Sequence, residues 1–107
     1  MFHNPNQIPF ESHLEVLQEP ARTIMIDLRA FVKSLGANVI EEVRPHRVAY
    51  AKTMNFRTFL DIQPAGDSLV LSIRQSRTLP QETARIKTAH DAEIAKKKIA
   101  EAFQKIQ

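Results

Sequence analysis

The period of apolar and polar positions changes along the chain, from helical at the ends to strand-like in the middle. After Pro20, the apolar residues Ile24, Leu28, Phe31, Val32 and Leu35 recur at spacings of four, three, one and three. That spacing places them on one face of an amphipathic helix over about 21–35. Pro20 suits its first turn and Gly36 its stop. Upstream, Ser12 and Glu15 stand at capping-box spacing and predict a short helix over about 13–18. Residues 1–10, with Pro5, Pro9 and two Asn, read as an extended arm.

Between Arg47 and Arg74 the pattern becomes alternating. Three strand-like runs, Arg47–Lys52, Phe56–Ile62 and Leu69–Arg74, are separated by the turn signals Thr53-Met54-Asn55 and Pro64-Ala65-Gly66-Asp67. Connections this short make neighbouring runs antiparallel. Strict alternation puts Phe56, Thr58, Leu60 and Ile62 on one face of the second run, and Arg57, Phe59 and Asp61 on the other. In the third run Leu69, Leu71 and Ile73 oppose Val70, Ser72 and Arg74. One face is thus large and apolar, and the other is mixed and carries arginines, the pattern of a half-exposed antiparallel sheet. Val39–Val43 reads as a short strand or an extended lead-in, with Pro45 interrupting it. Arg85–Ala89 reads as a fourth strand. A last helix follows over about 92–106, with His90 or Asp91 as its cap and an apolar stripe of Ile94, Ala95, Ile99, Ala102, Phe103 and Ile106. The expectation is a single α+β domain over residues 1–107: two layers, a four-stranded and mainly antiparallel sheet, and helices packed on one face. The apolar sheet residues should meet Leu28, Phe31, Leu35 and Phe103.

Composition limits the chemistry. A chain of 107 residues with 43% apolar residues can build one core. It has no cysteine, so disulfides and thiolate chemistry are excluded, and a cytoplasmic location is compatible with that. No signal peptide and no membrane span is visible, so no membrane partner is expected. The net charge is +3, but residues 44–87 hold eight Lys/Arg against three Asp/Glu. The sheet is therefore the basic part of the chain, able to attract phosphate or acidic partners.

No catalytic or metal motif emerges. His3, His13, His46 and His90 show no ligand-type spacing. Asp61 would serve as the first acid of a restriction-type metal site. The next strand offers Ser72-Ile73-Arg74 where an acid-x-Lys pair is needed, so no second ligand exists. With two glycines there is no Gly-rich phosphate loop. Catalytic residues, metal ligands and cofactors are all expected to be none. The sharpest feature is Phe59 between Arg57 and Asp61, since aromatics interleaved with arginine on an open sheet can stack bases. The candidate binding residues are Arg47, Arg57, Phe59, Arg74, Arg85 and Lys87. They fit a non-enzymatic binding module for nucleic acid or another anionic ligand. The alternative is a protein–protein or homodimer module that uses the same sheet face, and an enzyme with an unrecognised site ranks last.

Several short stretches also carry a family resemblance. Leu35-Gly36, Val48-Ala49-Tyr50, Asn55-Phe56, Asp61-Ile62-Gln63-Pro64, Leu69-Val70-Leu71, Arg85-Ile86-Lys87 and His90-Asp91 stand in the order and spacing of core positions and turns. Over about residues 20–106 the chain resembles the domain-of-unknown-function family 5655. The resemblance implies the fold more than an activity, because the family has no agreed catalytic residues to carry over. Its domains also occur beside segments linked to DNA-processing systems, which implies a nucleic-acid connection by analogy. Gln75–Gln81 departs from the pattern, in a segment that varies within the family.

Overall fold

The structure, a computed structural model, describes residues 8–52, 57–76 and 78–106. The chain is α+β. Helices α1 (Glu11–Glu15) and α2 (Ala21–Ser34) lead into strands β1 (Val39–Val43), β2 (Val48–Lys52), β3 (Thr58–Pro64), β4 (Leu69–Ile73) and β5 (Glu82–Ile86), and α3 (Ala89–Lys105) closes the chain. The five strands form one antiparallel meander in the order β1-β2-β3-β4-β5. No helix among the described residues is long and apolar enough to cross a membrane.

The sheet has five strands where four were expected. Val39–Val43 is a full strand, paired with β2 from Val39 opposite Lys52 to Val43 opposite Val48. Its register turns Glu41 toward the helices, beside Tyr50. A charge there is tolerated because it is paired. Arg29 of α2 donates to both Glu41 carboxylate oxygens, at 2.9 Å each, and the Tyr50 hydroxyl donates to Oε2 at 2.8 Å. Lys33 adds a longer ion pair at 3.5 Å. Burial alone would push the Glu41 carboxyl up, but the hydrogen bonds from Arg29 and Tyr50, with the nearby Arg29 and Lys33 charges, outweigh it and hold it below the usual range. The network fastens the edge strand to α2.

The helix ends also differ from expectation. Alpha 1 starts two residues earlier than Ser12 would set it, and no side chain caps it. It is held instead by His13, which is buried and donates from Nε2 to the Arg44 carbonyl at 2.7 Å. The capping box belongs to α3. Thr88 accepts from the Asp91 amide, and Asp91 accepts from the Thr88 amide, both at 3.1 Å, so Asp91 is the third helical residue rather than the cap. With the helix starting there, the preceding strand is Glu82–Ile86, three residues earlier than the expected Arg85–Ala89 and of the same length.

All three helices contribute to one hydrophobic core on one side of the sheet. Leu60, Ile62, Leu69, Leu71 and Ile73 are buried there with Leu28, Ile99 and Ala102, and Phe31, Leu35 and Phe103 pack against them. These are the sheet–helix contacts that alternation predicted; Phe56 lies outside the described residues. Gly36 follows α2 for want of space, since a Cβ would meet Asn38 Oδ1 at 2.6 Å and the Phe103 ring at 3.0 Å. Gly66, with φ of +74°, makes the β3–β4 turn.

Candidate anion-binding face

The pairing registers fix which residues occupy the sheet face away from the helices. Glu42, Ala49, Asp61, Ser72 and Thr83 stand side by side across all five strands. Arg44 and Arg47 lie at one end of this row. They close the β1–β2 hairpin through a bond from the Arg44 amide to the Arg47 carbonyl at 2.8 Å, and each follows the alternation of its strand onto the same face as Glu42 and Ala49. Arg74 lies at the other end, just past β4, where its amide donates to the Phe59 carbonyl at 3.0 Å. Four residue steps of β3, from the level of Phe59 to that of Gln63, separate the two ends, about 13 Å along the strand.

Between them is a depression of about 190 Å³. Ala49, Asp61 and Ser72 form its floor, and Arg44, Arg47 and Arg74 form its rim. Small floor residues leave the sheet backbone near the surface, while the long rim side chains stand above it. The arginines differ in how far they are engaged. Arg44 is paired with Glu42, at 2.9 Å from Nε to Oε2, and this bond holds its guanidinium above the usual value. Arg74 donates to Gln81 Oε1 at 3.3 Å. Among the described residues, Arg47 has no side-chain partner. Asp61 is the one carboxylate lining the depression, and no described base lies within ion-pair distance of it. Such a surface can bind anionic groups at both ends and accept a hydrogen bond between them.

Phe59 is among the residues lining the depression, but its ring is not presented there. Its side chain is 0% exposed. Its ring meets the Phe103 ring of α3 edge-on, with centroids 5.4 Å apart and planes at 72°. The cause is a β-bulge. Tyr50 pairs with Leu60 but the next residue, Ala51, pairs with Thr58, so Phe59 is the extra residue. The bulge turns Phe59 and Leu60 both toward the helices and gives Thr58 the outer position that alternation assigned to Phe59. In this arrangement the Phe59 ring offers no exposed face for a base to stack on.

The other expected residues are dispersed. Arg57 is half-buried just before β3 and does not line the depression. Arg85 lies on the same face at the β5 edge, where it donates to the buried Ser68 hydroxyl at 2.7 Å. Lys87 is exposed beyond the end of β5, at the start of the α3 cap. Arg44 was not among the expected residues. Its signal was readable: a four-residue turn, Arg44-Pro45-His46-Arg47, puts both arginines in phase with Glu42 and Ala49. His46 sits in that turn and His90 in the first turn of α3, and both are exposed. His3 lies outside the described residues. Among the described residues no three His, Asp or Glu side chains are grouped to hold a metal ion. No protein-family model, no curated protein and no solved structure matches this chain.

Proposed function

We propose that the protein is a non-enzymatic binding module that holds the backbone of a single-stranded nucleic acid across its helix-free sheet face. The observation that carries this reading is the placement of Arg44 and Arg47 at one end, and Arg74 at the other, of a depression that is open among the described residues and has a small-residue floor. Arginine is suited to phosphate by its planar fork of donors. Two basic ends about 13 Å apart fit successive groups of an extended polyanion better than one compact anion. With the aromatic turned inward, affinity rests on phosphate contacts, and sequence preference should be weak. Among the described residues the depression holds one acid and no second one beside it, which favours binding over acid–base chemistry. The resemblance to family 5655 belongs to the same proposal, as an account of the core positions and of the company such domains keep. A protein-covered face is the competing reading, favoured by the half-buried apolar Ile40 and Val70 on the same side.

The test is titration of a labelled single-stranded oligonucleotide at about 50 mM salt and upward. Arg47→Ala and Arg74→Ala should each weaken binding and lower the salt slope by about one, whereas Lys97→Ala on α3 should do neither. Absence of binding at the lowest salt, or equal losses from Lys97→Ala, would overturn the reading.

A further inference from the structure

The two edges of the sheet are built differently. Beta 1 carries Glu41 facing inward, clamped by Arg29 and Lys33, the kind of charged residue that discourages further strand pairing. Beta 5 has no such guard at its centre. Its helix-side residues are Glu82, Ala84 and Ile86, and among the described residues no hydrogen bond outside the ladder reaches the backbone of residues 82–86. An edge strand leaves half of its backbone groups pointing outward. Beside this edge, a groove of about 130 Å³ is lined by Ala84 and Ile86 below and by Asp91, Ile94, Ala95 and Lys98 of α3 above. Ile94 is 49% exposed there.

The order of side chains along the groove is the informative feature. Lys98 reaches Glu82 at 3.0 Å, and Asp91 caps the helix just past Ile86, so α3 runs opposite to β5. The helix row above the edge therefore reads acid, apolar, base (Asp91, Ile94, Lys98), with Ile94 near the level of Ala84. A two-fold axis through that centre superposes each acid on a base. We propose that a second copy of this chain docks on this edge, β5 against β5, in an antiparallel pair centred on Ala84. Ala84 then faces Ala84 of the second copy, which lets the strands approach closely. Glu82 faces Ile86 and Arg85 faces Thr83, so no like charges are opposed. Above them Ile94 packs on its own symmetry mate, and Lys98 meets Asp91 of the second copy on each side. The contact is isologous and closes at two copies, giving one ten-stranded sheet. The open faces become continuous, with an Arg85 on either side of the axis. The pairing uses none of the depression residues and stands apart from the nucleic-acid reading.

Light scattering or sedimentation of the full chain over about 1 µM to 1 mM is the primary measurement. The expected result is a shift from the monomer mass to twice that mass. Ile94→Glu sets two carboxylates on the axis at an exposed position, and Lys98→Glu sets acid against acid. Each should weaken the dimer by about tenfold or more without altering the circular dichroism of the monomer. Arg47→Ala should leave the dimer intact. Amide exchange within Glu82–Ile86 should slow as the dimer forms. A monomer at every concentration would overturn the proposal. So would a dimer indifferent to both α3 substitutions, or a monomer that takes up an extended peptide of unrelated sequence along β5 instead.

Discussion

Truncating Phe59 tests the bulge, the feature that most changes the functional picture. Phe59→Ala removes a ring that is 0% exposed and packed edge-on against Phe103. Loss of a fully buried phenylalanine costs about 3–5 kcal/mol, made up of transfer free energy and the cavity left behind. Within that sum, the specific ring–ring term should be about 0.5–1.5 kcal/mol. Phe59→Leu and Phe103→Leu, singly and together, isolate it as a coupling energy. In urea melts followed by circular dichroism, with a slope of about 1.5 kcal/mol/M, Phe59→Ala should lower the midpoint by about 2 M or more. Oligonucleotide affinity of the folded fraction should stay unchanged. A destabilisation under about 0.5 kcal/mol would place Phe59 on the surface and refute the bulge. Normal stability with lost oligonucleotide binding would restore Phe59 as a stacking residue.

Three further outcomes follow from particular contacts. Glu41→Gln replaces a carboxylate that accepts from Arg29 and Tyr50 and should cost about 1–3 kcal/mol at neutral pH. Because the folded Glu41 value lies below the ordinary 4.5, its contribution is present above that value and fades as pH falls through the folded one. Acid titration of stability should therefore be shallower below pH 4.5 in Glu41→Gln than in the parent. Thr88→Ala removes the α3 cap and should cost about 1 kcal/mol, seen as a lower melting temperature and faster amide exchange in the first turn of α3. Leu71→Ala, at a position 0% exposed in the centre of the sheet, should cost about 2–5 kcal/mol by urea melt.

The sequence by itself determined the class of fold. Helical spacing from Ile24 to Leu35, alternation from Leu69 to Ile73 and the turn at Gly66 are local signals, set by the 3.6- and 2-residue periods and by the backbone freedom of glycine. They placed Leu60, Ile62, Leu71 and Ile73 on the core side, where they are. Charge counting also located the basic segment, since composition needs no geometry. Other features were decided only by tertiary structure. Val39–Val43 is weak as a strand on its own and carries two glutamates; the inward one is neutralised by Arg29 of α2, a partner that only the packing of helix on sheet supplies. Phe59 lies inside because one extra residue in β3 breaks the alternation, and a bulge is defined against the neighbouring strand, not within its own sequence. The same register decides which residues share the candidate surface. It brings Arg47 and Arg74 to opposite ends of one depression, adds Arg44 through the hairpin, and leaves Arg57 and Lys87 outside, because strand pairing alone converts positions along a chain into neighbours across a sheet.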